Sequence, residues 1–521
     1  MARKIQILIL LVLVFLISFS CTKKKTHWKT DMLIPILKTE MGIDDLFGED
    51  NIVSTPDQSL SIIIEEKLEF LNVDSIVDIG DTITKDIFNV PFTFIIPPGK
   101  KVIEKETWSR INFGEMELTM ARAERAKMKF YVTNSIKQPL LVKYELYSAT
   151  KDGAFYEVEE RVEAATDTDK SYAVKEILLD DYDIDLRGPN NNDVNIIYAR
   201  TTVWIHADGD TAVVTPDDTI TIVSTFDEFI PSYATGYLGT HNLSAHSASA
   251  INAFRKIKSG SFDLKSAKAN LEIYNYVGVD LSMEINKLST KNIATNTKID
   301  LNHCIIGASL NIERASESGL EDYPVWAKHY SYDISNSNLD NMIEIMPDSF
   351  YINVKAVFNP LGNISAGNDF IYFDKGIDGV VKLEVPLNFS SSQLIIEDEV
   401  DLKFDDDNVN GGILNVFMNN SYPFDLDVQF YIIDNQNLVV DSLFLDGSYI
   451  AAGIMGNSGV VIEKKETALK VNLNDKMIDA LSNNNKVRIR AKINSPQQIK
   501  YKIYDFYSLG IKIVGDFEYE I

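Results

Sequence analysis

The chain holds only two cysteines, Cys21 and Cys304, in 521 residues. No disulfide framework can brace it, so its stability must come from buried cores. Tryptophan is scarce, with four residues, and histidine nearly so, with six. Long helical periodicity is almost missing, which argues against a bundle or an α-solenoid. Basic residues are outnumbered, 50 Lys and Arg against 76 Asp and Glu, for a net charge of −26. That balance excludes a nucleic-acid partner and disfavours polyanionic ligands. The sequence also lacks G-x-S-x-G, H-E-x-x-H, a P-loop, G-x-G-x-x-G and C-x-x-C. The commonest hydrolase, metalloprotease and nucleotide-binding classes lose their support, and no enzyme is expected.

Long apolar runs are missing too, with one exception at the start. After Arg3 and Lys4 the chain is apolar from Ile5 to Phe19, about 15 residues where a membrane span needs ~20. Residues 1–20 therefore read as a signal peptide. Its end, Leu16-Ile17-Ser18-Phe19-Ser20-Cys21, resembles a bacterial lipobox. The resemblance implies that Cys21 becomes the lipidated first residue of the mature chain, with 21–29 as a tether. A diacylglycerol plus an acyl chain supplies the several lipid signals that stable anchoring needs. The exported remainder would be held to a membrane through this N-terminal lipid. Lys23, Lys24 and Lys25 would then sit beside headgroups or in a solvated tether. With Cys21 so used, Cys304 in His303-Cys304-Ile305-Ile306 reads as a small buried hydrophobe.

What is present is β-strand material: 45% hydrophobic residues, 26 Phe and 23 Tyr, with Asn, Asp, Ser and Thr clusters between short apolar runs. A domain-scale repeat centres on Asn134, Asn275 and Asn420, in KMKFYVTNSIKQPLLVKYELY, KANLEIYNYVGVDLSMEINKL and ILNVFMNNSYPFDLDVQFYII. Counting back by twos gives Val132, Phe130 and Met128; Ile273, Leu271 and Ala269; Met418, Val416 and Leu414. Counting forward by six, eight and ten gives Leu140, Val142 and Tyr144; Leu281, Met283 and Ile285; Leu426, Val428 and Phe430. Alternation on both sides of a turn predicts three antiparallel hairpins with one buried face. A further strand block follows each one: NIIYARTTVWIHADG, SFYINVKAVFNPLG and KVRIRAKINSP. In EMELTMARAERAKMKF helix propensity competes with alternation, and the alternation shared with the sister repeats favours strand.

The fold expected is all-β, with tandem antiparallel β-sandwich domains at 106–230, 258–392 and 398–521. Residues 30–105 would form an N-terminal β-rich region. Residues 231–257 would form a linker, with Ile251, Phe254 and Ile257 on a short helix.

The Asn-centred pattern resembles the LEA-type, or water-stress-type, β-sandwich domain, which implies a binding or protective module without catalysis. The segment WKTDMLIPILKTEMGIDDLF is similar to the start of large cell-envelope lipoproteins of Bacteroidota type. In such organisms surface export goes with acidic residues after the lipidated cysteine. Lys23 to Lys25 are the reverse, so the periplasmic face of the outer membrane is expected.

Candidate sites are few. Asp406, Asn408, Asn410 and Gly411 fit the first six positions of an EF-hand loop, where alternate oxygen ligands before a glycine can wrap one hard cation. Phe417 stands at the twelfth position, where a bidentate Glu is required, so the stretch reads as a turn with calcium as the minor alternative. No other cofactor is expected. Asp180-Asp181-Tyr182-Asp183-Ile184-Asp185 reads as a solvated acidic loop, and His241 and His246 as linker histidines. The function expected is a membrane-anchored, non-catalytic binding or scaffold protein whose partner is an envelope protein or a glycan. The alternative is a glycan-binding lipoprotein of a polysaccharide uptake system, which needs exposed aromatic platforms. Of Trp28, Trp108, Trp204 and Trp326, two lie in strand-like contexts that suggest core.

Overall fold

The computed structural model describes residues 29–43, 51–71, 82–254, 257–320, 323–402, 404, 409–443, 448–484, 486–495 and 499–520. The expected signal peptide, Cys21 and Trp28 lie outside them, as do Asp406 and Asn408. Among the described residues nearly every element is an antiparallel strand, and the helices there are short, Leu339–Glu344 and Asp475–Asn483. Glu117–Asn134, where helix propensity and alternation disagree, is one strand of 18 residues. Alternation decides because Leu118, Ala126, Met128, Phe130 and Val132 are buried on one face.

Residues separate into two compact units, one drawn from 64–251 and 268–383, the other from 1–63, 252–267 and 384–521. The former contains the first sandwich and the body of the second. One sheet of the first runs Thr82–Asn89, Thr219–Tyr237, Glu117–Asn134, Ser171–Leu178. The other runs Lys101–Arg110, Ile196–Ile205, Leu140–Lys151, Ala154–Val162. The acidic stretch read as a solvated loop is structured: Asp183–Asp185 is a corner strand pairing with both sheets. Its Ile184 is buried and Asp183 receives the Arg122 Nε–H at 2.7 Å.

The second sandwich repeats the plan, with Leu60–Leu71, Ile377–Pro386, Lys268–Asn275 and Lys328–Asp333 in one sheet. Asn242–Ala250, Ser349–Phe358, Leu281–Asn292 and Thr297–Asp300 make the other. In the other unit, the third sandwich has Lys29–Met41, Leu509–Glu520, Val409–Asn420 and Lys465–Asn472 in one sheet. Ile257–Leu264, Asn388–Asp401, Lys486–Asn494 and Asp425–Ile433 form its second.

Three further expectations change. The Asn-centred pairs are not hairpins: Glu117–Asn134 does not pair with Leu140–Lys151, and in each repeat the two strands lie on opposite faces of the sandwich. The chain arches from sheet to sheet, and alternation cannot distinguish an arch from a hairpin because both bury one side of each strand. Residues 30–105 do not stand apart either. Lys29–Met41 joins the third sandwich, Leu60–Leu71 the second and Thr82–Asn89 the first. Finally, the stretch expected as a linker is strand through Tyr237 and again at Asn242–Ala250, and of the residues expected on its short helix Ile251 and Phe254 are buried in a non-helical stretch and Ile257 opens a strand.

The three asparagines explain the arches. All are fully buried. Asn134 Nδ2 donates to the carbonyls of Gln138 at 3.0 Å and Glu163 at 2.9 Å, while its Oδ1 accepts the Ile136 N–H at 2.8 Å. Asn275 bonds in the same way to Val279, Glu313 and Val277. Asn420 does so to Phe424, Ala451 and Tyr422. One buried amide thus pairs with three backbone groups where the chain leaves one sheet for the other.

Candidate functional site

Alternation that buries one face of a sheet delivers the other face to solvent. In the first sandwich that outer face carries an aromatic row. Trp108 stands opposite Tyr198 in the ladder, the Tyr198 ring lies 5.3 Å from that of Tyr147, and Tyr147 meets Phe155 edge-on at 4.8 Å. The row crosses Lys101–Arg110, Ile196–Ile205, Leu140–Lys151 and Ala154–Val162, four strands that span roughly 14 Å at ~4.8 Å spacing. Trp108 is 61% exposed and Phe155 39%, with Tyr147 and Tyr198 half-buried between them.

A charged row runs beside it. Arg200 donates through Nη2 to Glu106 at 2.9 Å, and its guanidinium lies 5.2 Å from the Tyr147 ring centre. These contacts hold the arginine against the aromatic row. Hydrogen bonds from Arg200 and then Tyr198 keep the Glu106 carboxyl below the usual range. Burial, followed by that bond to Glu106, pushes the Tyr198 hydroxyl up to about 12. The result is a pre-ordered amphipathic surface.

Trp108 lies on the strand Lys101–Arg110 with its side chain exposed. Its phase carried the correct signal, since Trp108 alternates with Glu104 and Glu106, Tyr198 with Arg200, Tyr147 with Lys143 and Glu145, and Phe155 with Glu157. Trp326 is also exposed, at 60%, whereas Trp204 is half-buried.

The other expected sites are placed as follows. Asn410 lies in the strand Val409–Asn420, at a bulge between Val409, opposite Tyr519, and Gly411, opposite Glu518. Among the described residues no three His, Cys, Asp or Glu side chains gather as a metal site. His241 bonds the Leu238 carbonyl at 2.7 Å, and His246 sits on the strand Asn242–Ala250. Cys304 corrects its expectation: it is exposed, in a turn where Ile305 takes the buried position. Among the described residues no helix is long and apolar enough to cross a membrane.

No protein-family model and no curated protein matches the chain. Among solved structures it is similar to a "putative secreted protein" from Parabacteroides distasonis ATCC 8503, at 9% identity and a TM-score of 0.26, over 93% of this chain and 99% of that one. A structure of infectious bursal disease virus, Gx strain, follows at 8% identity and a TM-score of 0.13, over 92% and 85%. The Sputnik virophage structure matches 60% of this chain and 87% of its own, at 8% identity and a TM-score of 0.09.

Proposed function

We propose that this chain is a non-catalytic binding protein of the cell envelope that holds a glycan against the aromatic row of its first sandwich. It would be tethered by lipid at Cys21 to the periplasmic face of the outer membrane. The observation that carries the reading is the outward-facing set Trp108, Tyr198, Tyr147 and Phe155 with Arg200 laid beside it. Sugar rings present apolar C–H faces and polar edges. Flat aromatic rings take the former, and the neighbouring Arg200, Glu106 and Lys143 can bond the latter. Tryptophan, tyrosine and arginine are also the residues that concentrate binding energy at interfaces. Because Arg200 is already fixed by Glu106 and Tyr147, little side-chain entropy is lost on binding. The aromatic row favours the glycan reading over the general scaffold reading.

Affinity electrophoresis of the full chain in gels containing soluble neutral polysaccharides (xyloglucan, β-glucan, mannan) tests this directly. Retardation by at least one of them, lost in Trp108→Ala and Tyr147→Ala with unchanged circular dichroism, is expected. If none retards the protein, or both variants migrate as the parent does, the reading fails. The tether is tested by Cys21→Ala, which should leave the precursor uncut or release the protein from membranes.

A further inference from the structure

The outer face of the second sandwich has a depression of about 260 Å³ bordered by His246, Lys287, Ser289, Lys298, Tyr351 and Asn353. The strand Asn242–Ala250, rich in Ser and Ala, forms its low wall. His246 faces Asn353 in the ladder, Asn353 faces Lys287, and Ser289 lies between Tyr351 and Asp300. Thr290, next to Ser289, points inward and donates to the Met342 carbonyl at 2.8 Å. Ser289 therefore points the other way, into the depression.

Three of its donors lack acceptors among the described residues. Ser289 is 0% exposed, yet its Oγ has no hydrogen-bond partner. A buried hydroxyl left unpaired costs free energy, so it marks a place where something else completes the bond. Asn353 Oδ1 accepts from Asn286 Nδ2 at 3.1 Å, and the Asn353 amide nitrogen has no acceptor among the described residues. The Lys298 ammonium lies 4.9 Å over the Tyr351 ring and has no carboxylate partner among the described residues. Lys287 is paired at 2.8 Å with Asp300, which faces Ser289 in the ladder.

A hydroxyl, an amide and an ammonium that all donate select a ligand that accepts. A carboxylate does so with a charge that Lys298 can match. The volume corresponds to roughly nine waters at ~30 Å³ each, too much for a bare inorganic anion and enough for one sugar ring. We propose that this depression binds a carboxylate-bearing sugar unit of a glycan. Lys298 pairs with the carboxylate, Ser289 and Asn353 donate to it or to ring oxygens, and the Tyr351 edge borders the ring. The proposal rests on the glycan reading above and names a ligand class for a second surface. The net charge of −26 argues for sparsely charged glycans, whose isolated carboxylates meet this local cluster, over dense polyanions.

The test titrates the full chain with D-glucuronate, D-glucose, sodium acetate and sodium sulfate, read by calorimetry. Variants are Lys298→Met and, to guard against a folding effect, Ser289→Ala, which removes only the unpaired hydroxyl. Glucuronate should bind saturably and about tenfold more tightly than glucose or acetate, the scale of one charge-assisted hydrogen bond. Lys298→Met should lose about that factor, and Ser289→Ala should bind more weakly than the parent. Equal affinity for glucuronate and glucose, or unchanged binding by Lys298→Met, overturns the proposal. Acetate or sulfate binding as tightly as glucuronate also overturns it, leaving an anion site with no sugar specificity. Retardation by neutral polysaccharides through Trp108 is scored separately, so this proposal can fail while the aromatic-row reading stands, and the reverse.

Discussion

Asn420 donates its side-chain amide to the carbonyl of Ala451, 3.0 Å away and 31 residues further along the chain. With the Phe424 carbonyl and the Tyr422 N–H, that contact ties the end of one sheet, the arch and a later segment into one buried node. Asn134 and Asn275 make the corresponding nodes in the other sandwiches. Replacement by alanine would remove these three hydrogen bonds from a fully buried position. Each of Asn134→Ala, Asn275→Ala and Asn420→Ala should therefore destabilise its own sandwich by about 3 kcal/mol. Asn→Asp should do no better, since it trades two donors for a buried charge. Hydrogen exchange resolved by segment is the measurement, because a chain of several domains need not unfold in one step. A loss below about 1 kcal/mol in all three would reduce the motif to coincidence.

The strand Lys29–Met41 lies far in sequence from the sheet it completes. It pairs with Leu509–Glu520 and buries Ile36, Leu37 and Met41. Ile36 packs over Gly515, where an added Cβ would come within 2.9 Å of Ile36 Cδ1. Ile36→Ala should cost the third sandwich about 2–5 kcal/mol and leave hydrogen exchange in residues 106–230 unchanged. The same pairing means that deleting residues 398–521 would leave this strand with no sheet to join. If Ile36→Ala leaves exchange in Leu509–Glu520 as it was, the pairing is wrong.

What was legible in the sequence follows from what local patterns encode. Period-two alternation around Asn134, Asn275 and Asn420 gave the strands and their buried faces, because a strand's sidedness is local. Whether the next strand pairs beside the first or crosses to the opposite sheet depends on which backbone groups the arch satisfies, and alternation is silent on that. The assignment of Lys29–Met41 to the C-terminal sandwich was invisible, since pairing across more than 450 residues leaves no mark in either segment. Trp108 is a different case. Its phase with Glu104 and Glu106 marks the outward face, a signal that strand context alone does not carry. Ser289 offered no signal at all, because an unpaired hydroxyl is a property of the packed structure.

Cys304 lies in a turn, exposed, with Sγ 3.9 Å from His303 Nε2. The apolar run around it serves Ile305, which is buried, and not the thiol. In a Cys21→Ser background, a maleimide reagent at neutral pH should label Cys304 stoichiometrically in the folded protein. Requirement for denaturant would return Cys304 to the core.

The aromatic row should bind its glycan with little dependence on pH across the ordinary range. Glu106 is the acid that fixes Arg200, and hydrogen bonds from Arg200 and then Tyr198 hold its carboxyl below the usual value, itself about 4.3. A depressed acid is charged, and its contribution complete, at every pH above the ordinary value. The contribution is lost only as pH falls through the lowered one. Tyr198 is shifted the other way, to about 12, by burial and by Glu106, so its hydroxyl stays protonated as a donor through alkaline pH. Between pH 5 and 9 neither group changes charge, and the dissociation constant of the best-retarding polysaccharide should hold within about twofold. Below pH 4 it should rise as Glu106 takes a proton and releases Arg200 from the ring of Tyr147. Glu106→Gln should already bind more weakly at pH 7 and should lose that acidic limb. A transition centred between pH 5 and 9 in the parent protein would mean that a different group orders the surface, and the role given to the Glu106–Arg200 pair would have to be abandoned.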